Sequence, residues 1–125
     1  MKKIIHTDKA PKALGPYSQA VESGGFLFCS GQIAINPETN QVFTGPIEQQ
    51  TTQVLENIRA VLTAAGLAFQ DVVKATVYLV DMNDFATVNE VYGRYFNETP
   101  PVRTTIAVAA LPKGVHVEIE VIAKS

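Results

Sequence analysis

The stretch PPVRTTIAVAALPKGVHVEIEVIA, residues 100–123, places Arg103, Glu118 and Glu120 inside two otherwise apolar, strand-like segments. An arginine presents a planar fork that receives a carboxylate through two parallel hydrogen bonds, which a lysine cannot reproduce. A glutamate close by could orient a water molecule or take its proton. The plainer alternative is a salt bridge on a strand surface, which contributes about 0–1 kcal/mol and gives stability little reason to require it. Spacing leaves both readings open. With residues 111–114 as a four-residue hairpin loop, Ala110 opposes Val115 and Arg103 opposes Ile122. Arg103 and Glu118 then share a face but sit four residues apart, roughly 13 Å along the strand. Direct contact requires a different bend or a different strand arrangement.

Other residues invite chemistry more weakly. In FCSGQ, Gly31 follows a strand and permits close backbone approach, so its N–H could bind an anion beside Ser30; a β-bulge is the structural alternative. GPYSQ sets Tyr17 after Gly15-Pro16, on a turn from which an aromatic could close over a pocket or simply pack. Asn89 lies four after Phe85 and beside Val88, which puts it on the buried side of a helix, where an amide must be satisfied. His6, His116 and Cys29 lack any metal-ligand spacing, and no phosphate-binding glycine loop is present. Ser30 has no nearby histidine to suggest a triad, and Cys29 reads as an inert thiol in an apolar strand.

The elements that must position these groups follow from periodicity. Strands are expected at 2–6, 17–24 and 26–35, the latter two joined at Gly24-Gly25, with a loop at 36–46. Ile47, Val54, Leu55, Ile58, Val61, Leu62 and Ala65 recur at helical spacing, and Gly66 stands where a C-terminal cap belongs. A strand at 71–80 precedes a second helix at 83–96, whose stripe is Phe85, Val88, Tyr92, Tyr95 and Phe96 and whose cap is Asn83 or Asp84. The two strands of residues 100–123 close the chain. Two such helices can cover one face of a six-stranded antiparallel or mixed sheet, a two-layer α+β domain spanning 1–125. The other face mixes apolar and charged groups, which suits either water or a neighbouring subunit.

Composition excludes several classes. A chain that is 46% hydrophobic and 18% charged folds around a core and is not disordered. A net charge of −2 with scattered Lys and Arg offers no stripe for nucleic acid. No stretch suits a signal peptide or a membrane span, and the lone Cys29 cannot form an internal disulfide, so a cytoplasmic protein is expected.

PVRTTIAVAALPKGVHVEIEVIA, together with GPYSQAV, SGQI and FATVNEVYGRYF, resembles the Rid (YjgF/YER057c/UK) family of reactive-intermediate enamine/imine deaminases, RidA branch, nearly end to end. The resemblance implies a chorismate-mutase-like fold and a homotrimer whose sheets enclose a central barrel, with sites at subunit interfaces. It implies hydrolysis of 2-iminobutanoate and 2-iminopropanoate, released by pyridoxal-phosphate enzymes such as threonine dehydratase, to 2-keto acids and ammonia without a metal or organic cofactor. Arg103 falls at the carboxylate-binding position and Glu118 at the water-orienting one. Tyr17, Ser30, Gly31 and Asn89 fall on substrate-binding positions. Thr105 also lines that pocket, where relatives often carry Cys. Two rivals stand beside this: a non-catalytic ligand-binding or regulatory protein using the same cleft, and an endoribonuclease or translation inhibitor.

Overall fold

A computed structural model describes residues 1–125. Eight regular elements follow in chain order: β1 (Lys3–Ile5), β2 (Ala20–Ser23), β3 (Phe26–Cys29), α1 (Ile47–Ala64), β4 (Val72–Leu79), α2 (Phe85–Tyr95), β5 (Val102–Ala107) and β6 (Val117–Lys124). The strands form one six-stranded mixed sheet in the order β1-β2-β3-β6-β4-β5, with both helices on one face. The architecture is α+β.

Local chemistry explains most boundaries. Gly24 and Gly25 both take positive φ (61° and 83°), the requirement of a two-residue hairpin turn, and Ser23 pairs with Phe26 across it. At the end of α1 the Gly66 N–H donates to the Thr63 carbonyl and the Leu67 N–H to the Leu62 carbonyl, both at 2.9 Å. This is the paired closure a left-handed residue permits, and Gly66 has φ of 75°. The second helix is preceded by a short 3-10 turn over Met82–Asp84, whose cap is Asp81: its carboxylate accepts from the Asn83 N–H at 2.9 Å. Of the expected caps, Asp84 occupies the N-cap position of α2, but its side chain makes no capping hydrogen bond.

The core lies between sheet and helices. Val54, Leu55, Ile58, Val61 and Leu62 of α1 and Val88, Val91 and Tyr92 of α2 pack on Ala75, Val77, Leu79, Val117, Ile119 and Val121. Each fully buried Leu, Ile or Val is worth about 1.5–3 kcal/mol of transfer free energy. No helix is long and apolar enough to cross a membrane.

One expectation fails in a way that matters for the site. β5 and β6 do not form a hairpin. β6 inserts between β3 and β4, antiparallel to both, while β5 runs parallel to β4 at the sheet edge after the crossover through α2. Arg103 therefore pairs with Ala75 rather than with Ile122, and Glu118 pairs with Tyr78. Ala75 and Tyr78 point to opposite faces of β4, since side chains alternate along a strand. Arg103 and Glu118 occupy opposite faces of the sheet. A parallel neighbour needs only a crossover helix, which α2 supplies, whereas residues 111–114 looked locally sufficient for a turn back.

Candidate functional site

The seven residues singled out by sequence divide into two groups. Tyr17, Ser30, Gly31 and Glu118 line one cavity of about 420 Å³, with Pro11, Leu14, Ile33 and two lysines, Lys12 and Lys113, around them. Asn89, Arg103 and Thr105 lie together on the helix-covered face of the sheet at β5, with Val77, Phe85, Val88 and Tyr92, in a patch that encloses no solvent-sized space.

The first group is built on a carboxylate that leans over a glycine. A Cβ added at Gly31 would overlap the Glu118 Oε2 and lie 3.0 Å from its Cδ. Any other residue at position 31 would displace the carboxylate. Gly31 is bracketed by Gln32, whose N–H donates to the Ile119 carbonyl at 2.8 Å, and by Ser30, whose N–H donates to the Gln19 carbonyl at 2.9 Å. The Ser30 hydroxyl is committed to the Ser18 carbonyl at 2.6 Å, so it fastens the Tyr17 segment. Gln19, which sequence reasoning missed, completes the frame. Buried, it donates to the carbonyls of Thr7 and Pro11 and accepts from the Thr7 N–H at 2.7 Å. Tyr17 itself is 55% exposed, free to meet a ligand or a partner.

Burial raises the Glu118 carboxyl above its ordinary value of 4.5, and the neighbouring Glu120 adds to the shift. A carboxylate so poised is a better proton acceptor than an exposed one. Glu120 is held differently: the Tyr78 hydroxyl, one strand away, donates to its Oε1 at 2.5 Å. That bond and the nearby carboxylates raise the Tyr78 phenol.

The second group is built on α2. The Arg103 Cζ lies 4.9 Å from the centre of the Tyr92 ring and 5.6 Å from that of Phe85, and its Nη1 donates to Asn89 Oδ1 at 2.6 Å. Asn89 is exposed, contrary to the buried position expected of it, and its amide is satisfied by the arginine. Helical spacing aligned it with the apolar stripe, but it sits at the stripe's edge, facing β5. Phe85 and Tyr92 read from sequence as core residues; Tyr92 is buried in the core and Phe85 is exposed, and together they form the bed for the guanidinium. Tyr92 is 5% exposed, stacks on Phe96 at 4.4 Å, and its hydroxyl has no hydrogen-bond partner. Its phenol is pushed up to about 12 by burial, against the opposing pull of Arg103.

Cys29 is buried, and burial pushes its thiol up to about 12, which leaves it inert as a nucleophile. No group of three or more His, Cys, Asp or Glu side chains is placed to hold a metal ion.

A family model described as endoribonuclease L-PSP matches residues 7–125. The chain belongs to the Rid (YjgF) family. It is 57% identical over 123 residues to a RutC family protein of Pyrococcus horikoshii, covering 98% of each chain. It is 48% identical over 126 residues to TdcF of Escherichia coli, named as a candidate reactive intermediate deaminase, covering 98% of this chain and 97% of that one. The fold matches a structure of TdcF with bound serine at a TM-score of 0.94 and 47% identity, covering 98% of each chain. It matches a candidate endoribonuclease of Thermotoga maritima at a TM-score of 0.98 and 54% identity, over 100% of this chain and 98% of that one. Membership of the Rid family fits two helices on a six-stranded mixed sheet.

Proposed function

We propose that the protein is a RidA-type deaminase. It hydrolyses 2-imino acids such as 2-iminobutanoate and 2-iminopropanoate, or their enamine tautomers, to 2-keto acids and ammonia. Each site joins the Glu118 cavity of one copy to the Arg103 patch of the next, three times in a homotrimer enclosing a central barrel. The observation that carries this reading is the placement of Arg103 and Glu118 on opposite sheet faces. One chain holds two incomplete halves, a water-activating half without a carboxylate receptor and a receptor half without volume. A ring of copies, each offering one face to the next, completes both. TdcF with bound serine supports the substrate class, since serine also carries a carboxylate and a nitrogen on adjacent carbons.

In this reading Arg103 takes the substrate carboxylate through its free nitrogens while Asn89 fixes the guanidinium plane. The Gly31 N–H donates to no backbone group of its own chain and is open to the ligand. Water adds to C2 of the protonated imine as Glu118 takes one of its protons, forming a tetrahedral amino alcohol. That intermediate collapses to the keto acid as Glu118 returns its proton to the nitrogen and the carbon–nitrogen bond breaks, the hydroxyl proton leaving with the ammonia as ammonium. An iminium carbon is already electrophilic, so placement and one base suffice. A thiol at position 105 is not required, and Thr105 serves as wall.

Two measurements test it. Imines generated in situ by an amino-acid-deaminating enzyme should yield keto acid faster when the protein is added. Arg103→Ala and Glu118→Gln, each inactive alone, should regain about a quarter of wild-type activity when unfolded and refolded together, because random mixing completes one site in four. Absence of complementation between folded variants overturns the shared site. The family model's description favours RNA cleavage as a second reading. RNA binding that weakens steeply with salt would support it.

A further inference from the structure

The cavity beside Glu118 contains a residue in a conformation its type disfavours. Lys113 takes φ 59° and ψ 18°, and Gly114 follows with φ 71°. The Val115 N–H reaches back to the Pro112 carbonyl at 3.4 Å. Two successive positive φ values define a turn whose first position suits Asn, Asp or Gly and penalises a lysine. Backbone strain of this kind persists where the side chain is needed in place. The turn sets Lys113 on the wall of the cavity that holds Glu118, Tyr17, Ser30 and Gly31, and Lys12 lines the same cavity from the N-terminal segment. Neither lysine forms an ion pair.

The charge balance of the cavity shows what they could do. Glu118 and Glu120 face the same side of the sheet two residues apart, and Tyr78 is the only side chain that hydrogen-bonds either of them. An enamine or neutral imine carrying a carboxylate is an anion, and it must approach Glu118 to react, with Glu120 two residues further along the same face and outside the cavity lining. We propose that Lys113, assisted by Lys12, is the electrostatic guide that admits anionic 2-enamino and 2-imino acids to the Glu118 cavity. The inference rests on the reaction proposed above for its substrate, but the guide would act on any small anionic 2-keto carboxylate.

Lys113→Asn and Lys113→Gly suit the turn better than lysine does, so a loss in either cannot be assigned to misfolding. At low ionic strength both should lower kcat/KM for the imine about three- to tenfold, with kcat within about twofold of wild type. The deficit should shrink as salt rises and the Debye length falls below about 10 Å. Lys113→Arg should restore the rate, and Lys2→Asn, an equal change in net charge elsewhere, should not copy the defect. Calorimetric titration of 2-oxobutanoate separates this inference from the reaction. If wild type turns over no imine yet Lys113→Asn weakens 2-oxobutanoate binding in the same salt-dependent way, the guide stands and the reaction falls. Unchanged kcat/KM and unchanged 2-oxobutanoate affinity at low salt in Lys113→Asn, or a deficit independent of salt, overturns the guide.

Discussion

Glu118 is costly to its own fold. Burial and then Glu120 raise its carboxyl above 4.5, so the folded chain binds this proton more tightly than the unfolded one. Stability therefore falls as pH rises from about 4.5 through the folded value, and the penalty is constant above that window. Glu118→Gln should melt higher than its parent at pH 7, and the difference should vanish below about pH 4.5. The proposed assembly brings Arg103 of another copy near, so an Arg103→Ala background isolates the effect. Thermal melts from pH 3.5 to 8 in that background would check it, and a Glu118→Gln chain that melts lower at pH 7 would refute it. Gly31 offers a matching test. Because a Cβ there overlaps the carboxylate, Gly31→Ala should cut imine hydrolysis more than tenfold, or about 1.4 kcal/mol of barrier, without unfolding the chain. Circular dichroism alongside kinetics decides whether the loss is local.

At the scale of elements, β5 carries the arginine and α2 supplies its bed. Its Tyr92 ring supports the guanidinium while its hydroxyl lies buried and unpaired, a cost of roughly 1–3 kcal/mol. Tyr92→Phe should therefore raise the melting temperature and keep kcat/KM, whereas Tyr92→Leu should raise KM by removing the bed. A lower melting temperature for Tyr92→Phe would show that the hydroxyl finds a partner on assembly. Arg103→Lys should lose about tenfold or more, since charge-assisted bonds of about 1.5–3 kcal/mol cannot be matched by a point charge. Both helices were legible because their signals are local: apolar spacing from Val54 to Leu62 and a terminal Gly66. The partners of β5 and β6 were not, because pairing is non-local and Pro112-Lys113-Gly114 looks like a hairpin whichever strand follows. Arg103 and Glu118 were visible as residue types, and their opposite faces were not, since faces follow from pairing.

Across the whole molecule, the open face of the sheet is unlike a surface made for water. One row across it reads Ile4, Val21, Phe28, Ile122, Lys74 and Val102, each paired with the next. Ile4 is 61% exposed, Phe28 44% and Val102 68%, an apolar band on a chain whose edge strand β5 is also uncovered. Such a band on an isolated chain invites association, and closure into a ring removes it from water. Light scattering should give about three times the 13.5 kDa chain mass. Val102→Asp gives the sharper experiment. In a monomer a substitution at so exposed a site should change stability by less than about 0.5 kcal/mol. In the proposed trimer the same carboxylate would be buried beside Lys74, and desolvating that pair costs several kcal/mol against the apolar contact it replaces. Val102→Asp should therefore dissociate the assembly and abolish imine hydrolysis, although Arg103, Glu118 and the fold of each chain are intact. A Val102→Asp protein that scatters as a monomer yet turns over imines at the wild-type rate would show that one chain suffices, and the two-half site would have to be abandoned.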